Sequence, residues 1–559
     1  AVRKIRQSPS DSNVRDTFFS AARAFHSTLN PYLLRRDKRE DPAVQKFTRH
    51  TGEEYHTYRR ENEILIETNN LSTNWKRSVC AAEALSFVTR QSDATSAKRL
   101  RLTMGNGHGI AALIDELQRD QKDDLKQIES DGDSHHPLHQ TNSEVVQPNK
   151  RMQRIDWWQN VMIQPFKNNE HALLDHPAIL AAAVEIENVC QQGEKVLVFG
   201  RFTRPLRALV NLLNAREMLR NLDKGGWPQS KVHESEWSAL VAAHRQLKLP
   251  GNLDRVSLNE TLEQQYRNRE QKRRDFRKTL IANIEAGIPL GRSSTHVRAI
   301  FYAFKAEAMT RTDQDLDNTE HTVSVVARAM LELMGPDAES ASHTDFATAF
   351  ADLIEAASGR DEGDAVGDGE LSETEAINFW SELETRVREE YNRQEGGFAR
   401  LMFGETKQAT RRLLQLAFNR RHSSPKVLVA QSLVGREGLN LHKACRTVVL
   451  LHPEWNPGVV EQQIGRVDRI GSLWETMINE AISHQPSNTD LPRIEVRPVI
   501  FQGTYDEKNW QVLRERWDDL RAQLHGIVIS QRIASNYDDS ENFIKEFNKF
   551  APNFSPTSS

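Results

Sequence analysis

The chain has 559 residues, of which 38% are hydrophobic and 27% charged. At roughly 150 residues per domain, that length suits three or four domains. Its 74 basic and 78 acidic residues give a net charge of −4, which excludes a uniformly basic nucleic-acid binder but not a local basic patch. No window holds the ~18 uninterrupted apolar residues of a membrane span, and no apolar secretory core opens the chain. Cys80, Cys190 and Cys445 are too far apart for a CxxC zinc site and odd in number, so a reducing cytoplasm is expected.

In chain order, residues 14–50 read as a helix and an arginine-rich turn, and 60–130 as mostly helical from apolar spacings of three and four. Asp131 to Pro148 reads as a linker; its His135, His136 and His139 have no partner at ligand spacing. Asp175 to Gln192 reads as a helix leading into a buried strand, Lys195 to Phe199, followed by a helix over 205–213. Residues 214 to 395 turn to long charged helices, with a Gly- and Asp-rich loop at 358–369. Buried strands return at Lys426–Ala430, Arg446–His452 and Val496–Phe501. Strands alternating with helices predict a parallel α/β sheet split by a helical insertion. The last nine residues read as a frayed tail.

The chemistry concentrates in 431–472. Ser432 ends a strand and is followed by Gly435-Arg436-Glu437-Gly438, where glycines let backbone amides approach a phosphate. A helix predicted from Pro457 to Gly471 puts Val460, Ile464 and Val467 on one stripe and Gln462, Arg466 and Arg469 opposite. A solvated polar face explains that pattern, and so does a polyphosphate clamp, for which arginine's double donor is suited.

This stretch resembles the carboxy-terminal RecA-like lobe of superfamily-two helicases, specifically the Swi/Snf-type DNA translocases. Ser432 to Leu441 is similar to their motif V, Trp455-Asn456-Pro457 to their WNP signature, and Gln462 to Arg469 to the QxxGRxxR of motif VI. Asp468, where many members have His, and Glu437 resemble the bacterial branch typified by the RNA-polymerase-associated recycling ATPase. Leu33 to Lys38 resembles the LLRRxK that ends the connection between lobes. Glu194–Phe202, Phe403-Gly404-Glu405-Thr406 with Arg411, and Gly503 to Glu507 match further segments in the right order. No GxxxxGK[ST] occurs, so this chain has no phosphate-cradling P-loop.

The resemblance implies an α/β RecA-like lobe, a parallel sheet with flanking helices, carrying a large α-helical insertion and a helical protrusion. The implied division is 1–50 interlobe connection, 51–192 protrusion and linker, 193–213 plus 396–510 lobe, 214–395 insertion and 511–559 brace and tail. Arg466 and Arg469 would be arginine fingers. Gln462, Gly465, Gly435, Glu437 and Gly438 would meet the nucleotide, and Ser432, Asn456 and Arg201 the DNA. ATP and Mg²⁺ would be held mainly by an amino-terminal RecA-like lobe, in this or another chain, with double-stranded DNA as the track. RNA polymerase and defence-system proteins are both partners of similar proteins. A non-catalytic DNA- or protein-binding scaffold and an ATPase completed in trans remain open as rivals. The basic run 266–278 suits a DNA-backbone contact or a solvated helix equally. Trp157-Trp158 suits a packed anchor better than base stacking.

Overall fold

Along each buried run, alternate side chains enter two different cores. Val196 and Val198 face one core and Leu197 and Phe199 the other; Val427 and Val429 part from Leu428 and Ala430 in the same way. This period of two, with both faces apolar, is what a parallel sheet covered on both sides requires. The computed structural model describes residues 1–33, 37–88, 150–166, 172–224, 227–289, 295–309, 321–359, 371–391, 397–432, 439–484, 490–534 and 540–554.

The strands are β1 (Arg59–Glu61), β2 (Ile64–Glu67), β3 (Lys195–Gly200), β4 (Ala399–Met402), β5 (Val427–Gln431), β6 (Cys445–Leu450) and β7 (Ile494–Gln502). They form one seven-stranded sheet in the order β1-β7-β6-β3-β5-β4, with β2 also beside β7. Every pairing is parallel, and Val198 stands between Val429 and Val449. Fold class and the four long strands match the sequence reading. β1 and β2, inside a stretch read as helical, do not: they are an interrupted edge strand whose polar Arg-Arg-Glu start hides the pattern.

Pro498 explains the interruption. Asn62 N donates to Val496 O at 2.9 Å, so residues 496 and 498 present their backbone groups to this edge. Pro498 has no N–H to offer there, and the break between β1 and β2 falls opposite it.

Among the described residues, and leaving aside the single turn Gln531–Ala534, the α-helices in chain order are α1 (Val2–Gln7), α2 (Ser12–Leu29), α3 (Pro42–Thr51), α4 (Thr73–Val88), α5 (Lys150–Ile163), α6 (Pro177–Gln191), α7 (Thr203–Asn221), α8 (Glu234–Gln246), α9 (Arg255–Gly287), α10 (Thr295–Met309), α11 (Thr322–Met334), α12 (His343–Ser358), α13 (Glu373–Tyr391), α14 (Gln408–Phe418), α15 (Pro457–Ile464), α16 (Leu473–His484), α17 (Tyr505–Leu524) and α18 (Ser540–Lys549). Helices α4 to α8 cover one face of the sheet; α3 and α14 to α17 cover the other. A third core joins the end of α9 with α10 to α13. A fourth unites Ile5 and Phe18 with Val528 and Phe547.

Two boundaries differ from the sequence division. The cut at 213/214 falls inside α7, and Leu219, Trp227, Leu240, Leu258 and Leu262 share the core that holds Val198. Residues 214–262 therefore pack as part of the lobe, and the separate helical core begins near Phe276. The frayed tail is also corrected as far as 554. Phe554 is buried, Arg39 Nη2 donates to Pro552 O at 3.1 Å, and Asn553 Nδ2 to Glu40 Oε1 at 2.7 Å.

The basic run lies on α9. Arg269, Arg273 and Arg277 recur every four residues and turn inward, with Arg277 buried, while Arg267, Arg274 and Lys278 are exposed. Trp158 packs on the first core, whereas Trp157 is 57% exposed. The linker histidines lie outside the described residues. No described helix is long and apolar enough to cross a membrane, and among the described residues no group of His, Cys, Asp and Glu could hold a metal ion.

The start of α17 contains a buried acid. Asp506 Oδ2 accepts from Phe501 N at 3.1 Å. Burial pushes its carboxyl up to about 8; the Phe501 N–H pulls the other way, and Glu83 adds to the rise. A carboxyl raised on folding contributes stability that is fully present below its ordinary ~3.9 and is lost as pH climbs through the raised value. Melting temperature should therefore fall between pH 5 and 8, with a slope of up to ~1.4 kcal/mol per pH unit from this group. Asp506→Asn should flatten that slope and raise the melting temperature at pH 8. Equal slopes in parent and variant would show that the acid is not held protonated.

Candidate functional site

In open parallel sheets, ligands collect outside the carboxyl ends of the strands, and among the sequence-predicted residues Arg201 and Ser432 follow directly on β3 and β5 there. Ser432 N donates to Gly200 O at 2.9 Å, extending the β3–β5 pairing beyond the last strand residue. Ser432 Oγ accepts from Gln463 Nε2 at 3.2 Å. Gly200 has no room for a side chain, because a Cβ there would stand 2.5 Å from His452 Nδ1. Arg201, next along, is half-buried; its Nε lies 3.9 Å from Glu454 Oε2, and its guanidinium lies over the Phe202 ring at 5.8 Å.

The loop after β4 reaches the same edge. Phe403 N donates to Thr406 Oγ1 at 3.0 Å, and Arg411 clamps the turn by donating to Thr406 O and Gly404 O, each at 2.8 Å. Gln431 Oε1 accepts from Gly404 N at 3.3 Å. The G-x-T segment is thus held to the end of β5 through a buried amide.

Helix α15 begins at Asn456, whose Oδ1 accepts from Gly458 N at 2.9 Å. With Pro457 in the first turn, this is an N-cap. Asn456 is exposed, so its amide nitrogen faces solvent while its oxygen caps the helix. Val460, Ile464 and Val467 are fully buried, as their stripe requires.

The helix stops at Ile464, seven residues before the sequence reading ends it. Arg466 N bonds Gln463 O at 3.2 Å and Val467 N bonds Ile464 O at 3.0 Å, the tighter i to i−3 pattern. These two bonds sit between the i to i−4 bonds of Gly465 N to Glu461 O and Asp468 N to Ile464 O, so the turn is irregular and the residues of the predicted polar face differ in burial. Gln462 is exposed, Arg469 is half-buried and Arg466 is only 6% exposed. Arg466 Nη1 donates to Leu439 O at 3.4 Å, and Arg469 Nε donates to Gly465 O at 3.1 Å. Burial lowers the Arg466 pKa, and the charge of Arg469 lowers it further. Two guanidinium groups that feel each other's charge make a place where an anion is favoured. Gly435, Arg436, Glu437 and Gly438 lie outside the described residues, as do Leu34, Arg35 and Arg36.

Sequence reasoning missed Gln463, Gln431 and His452, each buried at this edge. It also missed the roles of Glu461 and Asp468. Their signal was present: acids seven residues apart fall on one helix face, on a helix that is otherwise apolar there.

Residues 371–471 match the family described as helicase conserved C-terminal domain. A stretch of 118 residues is 42% identical to the SNF2 domain-containing protein CLASSY 4 of Arabidopsis thaliana, covering 20% of this chain and 10% of that protein. Residues 371–471 are thus similar to a helicase carboxy-terminal domain, and part of the chain is similar to a SNF2 domain-containing protein. The chain's parallel sheet with flanking helices is that of a RecA-like carboxy-terminal lobe. The matched family segment contains β4, β5, β6 and α15; β3 and β7 lie outside it but complete the same sheet.

Proposed function

We propose that this region is the second motor lobe of a DNA-dependent ATPase, a Swi/Snf-type translocase. An amino-terminal RecA-like lobe, in the same or another chain, would hold most of ATP and Mg²⁺. Arg469, with Arg466 beside it, would stabilise charge on the transferring phosphoryl group. Gln462 and Gly465 would line the nucleotide side, and Arg201, Ser432 and the exposed amide of Asn456 the double-stranded DNA. Gly435, Glu437 and Gly438 complete the proposed nucleotide contacts. The observation that carries this reading is the closeness of two arginines on one turn at the carboxyl edge of a RecA-like sheet. The resemblance to the bacterial recycling branch makes RNA polymerase or a defence-system protein the remodelled partner in this reading.

The burial of Arg466 favours the rival, a scaffold in which that arginine is a packing residue. The chain alone separates the two only partly. Purified, it should release no phosphate from ATP with or without DNA, because the sequence has no loop to cradle the β- and γ-phosphates. DNA-stimulated turnover that survives contaminant controls would overturn the half-motor reading. Duplex binding should weaken steeply with salt, as phosphate contacts do.

A further inference from the structure

Glu461 on α15 and Asp468 on the turn after it are joined by one side chain. Arg59, the first residue of β1, donates Nη1 to Glu461 Oε2 at 2.9 Å and Nε to Asp468 Oδ2 at 2.8 Å, and its Nη2 also bonds Asp468. Asp468 further accepts from Tyr58 OH at 2.6 Å and Lys38 Nζ at 2.7 Å. Glu461 Oε1 accepts from Trp517 Nε1 at 2.6 Å and Arg521 Nε at 3.4 Å, both on α17. The side chains of Arg59 and Asp468 are 12% and 2% exposed. Burial alone would raise the Asp468 carboxyl, yet Arg59 and Lys38 hold it down to about 2.

We infer that Arg59 is a positioning residue: by bridging Glu461 and Asp468 it fixes the 465–469 turn that presents Arg466 and Arg469. This rests on reading those arginines as parts of a nucleotide site. The turn needs an outside anchor because it has left the regular α-helix: the Arg466 and Val467 N–H groups make i to i−3 bonds, whose geometry is poorer, between the i to i−4 bonds of Gly465 and Asp468. A planar guanidinium can serve two carboxylates at once, in fixed directions, which an ammonium cannot. The same cluster ties the turn to the connection segment through Lys38, to the residue before β1 through Tyr58, and to α17 through Glu461. A movement of either element would reach the arginines directly.

Amide hydrogen exchange in this chain tests the anchor, since the N–H groups of residues 465–468 are all bonded. Arg59→Lys should keep a cooperative melt and speed exchange at 465–468 by ~10-fold or more, leaving β3 and β5 unchanged. Asp468→Asn, which keeps the shape and loses the charge, should do the same and serves if Arg59→Lys does not fold. Arg514→Lys, on a residue that pairs with Glu61 and Glu63 and not with Glu461 or Asp468, should change neither region. In the ATPase formed with the amino-terminal lobe, Arg59→Lys should lower kcat by about a hundredfold, the scale of a small misplacement, with KM for ATP and DNA affinity held. Parent-level exchange at 465–468 in both variants overturns the inference. So does parent turnover in Arg59→Lys where Arg469→Ala is inactive. Parent turnover in Arg469→Ala itself overturns the motor reading instead, and exchange then decides whether Arg59 anchors the turn.

Discussion

In the two-lobe ATPase, Arg469→Ala should lower turnover at saturating DNA by ~10³-fold or more, the usual contribution of an arginine finger. DNA affinity and melting temperature should stay near the parent values. Arg469 is half-buried and donates to Gly465 O within its own turn, so truncation opens no core. Lysine should not restore activity, because a point charge does not reproduce two parallel donors. Arg466→Ala should be equally inactive but also less stable. It removes a 6% exposed side chain packed against Leu439 O, and a substitution there is a packing change as well as a charge change. Turnover within a few-fold of the parent for Arg469→Ala would mean that this arginine does no electrostatic work on a nucleotide, and the scaffold reading would take precedence.

The difference between these two arginines shows what was legible in the sequence. The continuous apolar runs Val196 to Phe199 and Val427 to Ala430 are what a strand buried on both faces leaves in a sequence, and they located the sheet. The stripe of Val460, Ile464 and Val467 was equally readable, because burial fixes those positions in an α-helix and in a tighter turn alike. The orientation of Arg466 was not readable, since it depends on the irregular turn after Ile464, where i to i−3 and i to i−4 bonds mix, which local apolar spacing does not encode. β1 and β2 were hidden for another reason: an edge strand needs few apolar residues, and the partner that makes Arg59–Glu61 a strand lies more than 400 residues away in β7. The boundary at 214 was missed because Arg216, Glu217 and Arg220 make α7 read as charged after Leu213, while Ala215, Met218 and Leu219 continue into the core and Arg216 itself is buried against Glu187.

That boundary sets the second large effect. Replacing 214–395 with a short linker should abolish the cooperative thermal transition. The excision would remove Leu219, Trp227, Leu240, Leu258 and Leu262 from the core that covers Val198 and Val429. It would also remove Asn214, whose side chain accepts from Ala399 N at 2.9 Å and donates to Ala399 O at 3.0 Å, holding the outer strand β4. Losing one large buried side chain costs about 2–5 kcal/mol, and a domain's whole stability is about 5–15 kcal/mol, so five such losses, roughly 10–25 kcal/mol, are enough to consume it. An excision confined to 271–391 should behave differently. It keeps Leu258 and Leu262 on the remaining part of α9 and takes away only the third core. Its cost falls on Leu413 and Ala417 of α14, which pack against that core, while Leu414 and Phe418 keep their places under the sheet. The shorter excision should retain one cooperative transition at a lower temperature. A lobe that melts cooperatively without 214–395 would show that 214–262 are dispensable cover, and that the helical body does begin at 214.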